Sequence, residues 1–392
     1  MKKFLAILLA VMLVLALSIS GCTAEPAEQE EEEEEEGPVL TIGALYGGPI
    51  NDYGYNRALH DSIAVIAENI EGVEIIEVEN VAVGAATGPM QTMINQGAKL
   101  IFATSYNMYD EALALANKNP NVKFEWCGGG KNATANLGTF FGKPPDGWYL
   151  MGMAAALMMQ ANNVTNPTFG FVGAFPYLGW TRTFVNAFTL GAQSVYPAVV
   201  PPAPSPVTVK VAYTYEWASL AKQVQVTNAL IDQGAKVITH HVDSPQSVIQ
   251  TAESRGVYSI GYQSVESYIF APTKWICGTG MTFGGLLTPI ANSVIGGIYN
   301  GTVKLWGWTQ GAMQLAPWGT SVSPTVRDAV LAAKPQLEAG TRKTFAGPIY
   351  SNNGTIYTIS VYPFQITAGK EIPEYALGWA DTSFVWGVQV TG

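Results

Sequence analysis

From Val39 onward, short apolar runs alternate with longer stretches in which apolar positions recur at helical spacing. Runs of the first kind suit strands buried on both faces; the second suit helices with one apolar stripe. The pattern predicts strands at Val39–Tyr46, Val73–Val78, Leu100–Thr104 and Val122–Trp126. Between them it predicts helices over Gly54–Asn69, Thr87–Gln96 and Glu111–Asn117, the last closed by Pro120. The same grammar then starts again. Strands are predicted at Thr168–Ala174, Val207–Tyr213, Val237–His241 and Val257–Tyr262, and helices over Gly179–Val195, Ala218–Gln233 and Pro245–Arg255. Such alternation implies parallel sheets joined by right-handed crossovers.

One segment occurs twice. Met-Ile-Asn-Gln-Gly-Ala-Lys-Leu-Ile at Met93–Ile101 parallels Leu-Ile-Asp-Gln-Gly-Ala-Lys-Val-Ile at Leu230–Ile238. Each reads as a helix end, a glycine stop and a strand start. The next predicted strands begin at Val122 and Val257, 26 and 24 residues beyond the shared glutamine. Helix–glycine–strand junctions look alike in any α/β protein. An identical Gln-Gly-Ala-Lys in the same structural place nevertheless points to two lobes of one architecture. Two doubly wound lobes align the carboxyl ends of their strands along a cleft, and ligands bind outside those ends.

The chain before Val39 is of another kind. Lys2 and Lys3 precede an unbroken apolar run from Phe4 to Leu17, and Ile19-Ser20-Gly21-Cys22 follows. This is the layout of a secretory signal over residues 1–21, too short for a membrane span of about 20 apolar residues. Cys22 after Ser-Gly resembles the bacterial lipobox, in which the thiol is diacylated; an ordinary signal with an incidental cysteine is the alternative. Two acyl chains give stable anchoring. Residues 22–37 hold nine glutamates and read as a solvated acidic tether.

That tether carries most of the charge. The chain has 20 Lys and Arg against 30 Asp and Glu, a net charge of −10. Without the nine tether glutamates and Lys2 and Lys3, 18 basic residues face 21 acidic ones, about −3. A nearly neutral body does not recruit polyanions, so no nucleic-acid partner is expected. Cys127 and Cys277 are the other cysteines and allow one bridge at most. A length of 392 residues, 48% apolar, supports sizeable cores.

The loops at the strand ends carry the candidate chemistry. Gly47–Asn56 joins the first strand to the first helix and holds Asp52, Tyr53, Tyr55 and Asn56. Asp52 suits a helix cap, but two phenols are hard to place as core there, and ligand contact is expected. Ser105, Tyr106 and Gln263 donate and accept hydrogen bonds without net charge. Asp110 suits a cap or a ligand acceptor equally. Phe175 lies in the Ala174–Gly179 loop, and Trp217 closes the aromatic set Tyr213-Thr214-Tyr215-Glu216-Trp217. Trp217 is expected to face the cleft, where aromatics from both lobes can sandwich a flat ligand. His240-His241 raises a metal reading, but neighbours on a strand point to opposite faces, and no metal site is expected. Asp243 suits accepting from a ring or exocyclic N–H. No nucleophile elbow, metalloprotease motif or base–nucleophile pair supports an enzyme. Gly128-Gly129-Gly130-Lys131 lacks the spacing of a phosphate loop and reads as a flexible lobe-crossing turn.

Gly48-Pro49-Ile50-Asn51-Asp52-Tyr53-Gly54-Tyr55-Asn56, Ala103–Asp110, Asn119-Pro120-Asn121-Val122-Lys123-Phe124 and Asn186–Val195, together with the lipobox and the repeat, resemble the basic membrane protein (Med-like) family. These are purine-binding lipoproteins of ABC transporters. The resemblance implies a type I periplasmic-binding-protein fold: two doubly wound Rossmann-like lobes with a hinge and an interlobe cleft. Lobe 1 would comprise 38–140 plus about 275–318, and lobe 2 about 141–274 plus 319–392. It implies a base stacked between Tyr55 and Trp217, with Asn56 following Tyr55 as in the family and Asp110 matching an acid that bonds the base edge. Where nucleoside binders carry an Asp and a Lys for ribose, this chain reads Gly261-Tyr262-Gln263-Ser264-Val265 and Cys277-Gly278-Thr279-Gly280. A free nucleobase such as adenine is therefore favoured over a nucleoside. The implied partners are an ABC permease and ATPase, and a membrane reached through Cys22. The protein would be exported and lipid-anchored on the outer face of the cytoplasmic membrane or in the periplasm, monomeric and without a cofactor. A sensory receptor domain, a riboflavin or sugar receptor and an exported nucleoside hydrolase are the alternatives.

Overall fold

The computed structural model of the protein describes residues 37–391 apart from 129–130, 198, 353–357, 360–363 and 366–383, with 358–359 and 364–365 described by their backbone. The expected signal peptide, Cys22 and the tether up to residue 36 lie outside the described residues. No described helix is long and apolar enough to cross a membrane.

The first lobe opens with β1 (Leu40–Leu45), α1 (Tyr55–Asn69), β2 (Val73–Val78), α2 (Thr87–Asn95), β3 (Leu100–Ala103), α3 (Tyr109–Lys118), β4 (Lys123–Cys127) and β5 (Leu137–Gly142). The second lobe runs through α4 (Pro145–Ala161), β6 (Thr168–Gly173), α5 (Gly179–Gln193), β7 (Thr208–Tyr213), α6 (Leu220–Asp232), β8 (Val237–His241), α7 (Gln246–Ser254), β9 (Tyr258–Gln263) and β10 (Trp275–Met281). Then come α8 (Gly284–Ile295), β11 (Val303–Trp306), β12 (Met313–Leu315), α9 (Pro324–Glu338), the hairpin strands β13 (Thr358–Ile359) and β14 (Phe364–Gln365), and β15 (Val388–Val390).

Strand order makes the internal repeat visible. The first sheet runs β11-β5-β4-β3-β1-β2 and the second β12-β10-β9-β8-β6-β7-β15. Within them β5-β4-β3-β1-β2 and β10-β9-β8-β6-β7 are the same order, all parallel. The two Gln-Gly-Ala-Lys segments enter β3 and β8, the third strand of each lobe. Gly97 has φ +99° and Gly234 φ +96°, and each lets the next amide turn back onto the helix end, Ala98 N to Met93 O and Ala235 N to Leu230 O. Only glycine takes this left-handed stop without strain.

Both faces of each sheet are covered. In β1, Leu40, Ile42 and Ala44 join Leu59, Ile63 and Ile66 of α1 in one cluster, while Leu45 joins Met90 and Met93 of α2 in another. Burying each such side chain contributes about 1.5–3 kcal/mol. In the second lobe α4 and α5 approach closely because both carry glycine where they meet: a Cβ on Gly152 or Gly191 would lie 2.0 Å from the opposing carbonyl oxygen of Phe188 or Tyr149.

Two expectations change. Gly129 and Gly130 of the expected lobe-crossing turn lie outside the described residues, but β4 before it and β5 after it pair in the same sheet, so both sides of it belong to lobe 1. The return to lobe 1 begins after Met281, not near 275, because β10 pairs with β9; the returning piece is α8 and β11, and β12 already belongs to the second sheet. Buried ties fix that piece. Lys304 Nζ lies 2.7 Å from Glu125 Oε1, and the Tyr299 hydroxyl donates to Glu125 while accepting from Gly138 N. Burial raises the Glu125 carboxyl, with Lys304 opposing.

Candidate interlobe binding site

A cavity lies between the lobes at the carboxyl ends of the strands. Tyr55, Ser105, Tyr106, Gly128 and Phe141 line it from the first lobe. Leu178, Gly179, Trp180, Trp217, His241, Asp243 and Gln263 line it from the second. The centre of a water molecule has about 60 Å³ to move in there, where one water needs roughly 10–15 Å³. An adjoining hollow of about 230 Å³ shares Ser105, Trp217 and Asp243 with it and reaches Gly47, Gly48 and the loop at 81–84.

Each wall is built locally. Tyr55 is the first residue of α1, and its hydroxyl donates to Thr104 O at 2.7 Å, which pins the ring to the end of β3. Asp52 accepts from the backbone N–H groups of Gly54, Asn56 and Arg57, capping α1, and from Asn56 Nδ2. Asn56 in turn accepts from Gly48 N. Asp52 and Asn56 therefore shape the first loop, and neither lines the cavity. Tyr53 also stands outside it, its ring edge-on to Phe270 of the second lobe at 5.0 Å.

Trp217 is held from behind. Phe175 meets its ring edge-on at 5.6 Å, and His241 does so at 5.5 Å; Phe175 does not line the cavity. Gln223, fully buried, donates to the backbone carbonyls of Trp217 and Asp243 and ties the two loops together. His241 pairs through Nδ1 with Thr181 Oγ1 at 2.8 Å, and burial lowers its pKa to about 3, so the ring is neutral. Asp243 receives the Gln263 amide on Oδ1 at 3.4 Å. Burial, then the nearby Asp52, pushes its carboxyl well above the usual carboxylate range, with Gln263 opposing.

Tyr55, Ser105, Tyr106, Trp217, Asp243 and Gln263 thus come together, while Asp52, Tyr53, Asn56, Asp110 and Phe175 do not line the void. Asp110 is in the first turn of α3, its side chain 87% exposed and paired with Lys131. Phe141, Trp180 and His241 line the cavity without having been singled out as contacts. Trp180 sits one residue past the Ala174–Gly179 loop, and in the sequence His241 points only to a metal reading. Among the described residues no cluster of His, Cys, Asp or Glu could hold a metal ion.

The cleft is nearly shut on one side. Arg57 of α1 reaches Glu266 at 3.6 Å, and a Cβ on Gly54 would lie 2.6 Å from Pro245 Cδ. Backbone strain concentrates here as well. Tyr53, Tyr215, Ser244 and Gln263 have φ of 52°, 59°, 53° and 76°, left-handed values costly for residues with a Cβ.

The chain is similar to several known proteins. The chain is 30% identical to a purine-binding protein of Brucella abortus over 81% of its own length and 86% of that protein's. It is 28% identical to a putative ABC transporter glucose-binding protein of Haloferax volcanii, covering 80% and 76%. A solved ABC transporter solute-binding protein from Aeropyrum pernix shares the fold, with a TM-score of 0.63 at 15% identity, covering 79% of this chain and 94% of that one. Residues 39–333 match the model of the Bmp family, ABC transporter substrate-binding proteins of the PnrA-like kind, and the chain belongs to that family.

Proposed function

We propose that this ABC transporter substrate-binding protein captures a purine base, adenine or a close relative, and presents it to a permease and its ATPase. The observation that carries the reading is that Tyr55 and Trp217 line one cavity from opposite lobes, with Asp243 and Gln263 between loops of the second. A flat heteroaromatic ring loses water from both faces in such a slot, and each base–aromatic stack contributes about 1–3 kcal/mol. Two stacks, apolar burial and a few hydrogen bonds are enough for a micromolar dissociation constant, about −8.2 kcal/mol. Ser105, Tyr106, Asp243 and Gln263 supply those bonds. Asp52, Asn56, Tyr53 and Phe175 act through the loops and rings they hold.

Among the described residues no lysine or arginine lines either hollow, so nothing there favours a phosphorylated ligand, while the adjoining space leaves room for a neutral substituent on the base. Diacylation of Cys22 would hold the protein, a monomer, at the outer face of the membrane.

A panel of bases, nucleosides, flavins and sugars in thermal unfolding tests the reading. A purine at a hundred times its dissociation constant stabilises the fold by about 2.7 kcal/mol. A response confined to sugars or flavins overturns it, as does release of base from a nucleoside. Cys22→Ala should move the protein from the membrane to the soluble fraction.

A further inference from the structure

Among the described residues the Asp243 carboxyl is the one acidic group lining the cavity, and no lysine or arginine pairs with it. The groups that face it are the Asp52 carboxylate, the phenols of Tyr55 and Tyr262, the neutral His241 ring of the same wall and the Gln263 amide. Oδ2 has no protein partner among the described residues. Gln263 Nε2 donates to Oδ1, and the carbonyl oxygen of a neutral carboxyl accepts better than its hydroxyl oxygen, so this bond favours a proton on Oδ2. Gln263 is itself 2% exposed and holds a left-handed backbone, so the orientation of the pair is built in.

We propose that Asp243 binds the ligand in its neutral form and selects an amidine edge, an amino group beside an unprotonated ring nitrogen. Oδ1 accepts from the amino N–H and Oδ2–H donates to the ring nitrogen, while Gln263 positions the carboxyl. This rests on the purine reading and goes further: it favours 6-aminopurines over 6-oxopurines, whose corresponding ring nitrogen carries a proton and would meet the Oδ2–H head-on. It also makes binding depend on pH. Burial and Asp52 raise the carboxyl, so its neutral form, and with it adenine binding, is present below the raised value and lost as pH rises through it.

Calorimetric titration of the intact protein with adenine, hypoxanthine and unsubstituted purine, from mildly acidic to alkaline pH, tests this. Adenine should exceed both analogues roughly ten- to hundredfold at neutral pH, the cost of leaving a buried polar group unpaired. Its affinity should fall about tenfold per pH unit beyond the titration point. Asp243→Asn keeps an acceptor and a donor but cannot titrate, so it should hold adenine within about tenfold and flatten the pH profile. Hypoxanthine binding as tightly as adenine, or adenine affinity that rises with pH, overturns the proposal while leaving the purine reading intact. Both arms on the unmodified chain need no variant. If no purine binds at any pH, the purine reading itself fails.

Discussion

The two lobes share a strand order but contribute differently to the cleft. On the first lobe the side chains at the strand ends are already committed to their own lobe: Tyr55 to Thr104, Asp52 to four donors, Asn56 to Gly48. Apart from Ser105 and Tyr106, what it offers is a fixed shape. On the second lobe Trp217 is held by ring edges, and one Asp243 oxygen has no partner among the described residues. Duplicated architecture thus carries a division of labour, one wall mainly a frame that adds the Ser105 and Tyr106 hydroxyls and the other the main reader. The loops account for this, since they vary freely while the sheets that position them cannot.

The largest expected effect lies in the frame. Lys304→Met strands the fully buried Glu125 carboxylate and should cost about 3–5 kcal/mol of stability in chemical denaturation. Ligand affinity of the molecules that remain folded should hardly change. Trp217→Ala should do the opposite, losing about 1–3 kcal/mol of binding, roughly five- to 150-fold, with cooperative unfolding retained. If it unfolds the protein instead, Trp217 is core and the division fails.

Gly54→Ala probes where the walls meet. The added methyl falls 2.6 Å from Pro245 Cδ, so the lobes cannot come as close. An overpacking cost of about 1–3 kcal/mol should appear in affinity, and scattering should show a more open molecule. Phe175→Ala removes only the ring behind Trp217 and should weaken binding by about 0.5–1.5 kcal/mol in calorimetry. A loss as large as that from Trp217→Ala would place Phe175 in direct contact with the ligand.

Much of the fold was legible because its signals are local. β2 and β8 fall on the predicted residues, and the Gln-Gly-Ala-Lys echo marks equivalent junctions. Helix α4 escaped because nearly all its residues are buried, so no polar face marks its period. Helix α8 starts with two glycines and carries Pro289 inside, which reads as loop. Strand β10 was assigned to the wrong lobe because sheet membership is a tertiary fact. At the candidate site, position along the strand ends picks out six residues that line the cavity, Tyr55, Ser105, Tyr106, Trp217, Asp243 and Gln263. It did not separate cavity-facing residues from those that brace them, since Asp52 and Asp243 are both strand-end aspartates and differ only in partners. Gln223, in the first turn of α6, gave no signal at all.

The central claim is tested most directly by a crystal structure of the protein grown with adenine. The account predicts the base in the interlobe cavity, one face on Tyr55, the other on Trp217, and its amino edge on Asp243. A base bound elsewhere, or bound there with either ring turned away from it, would contradict the account.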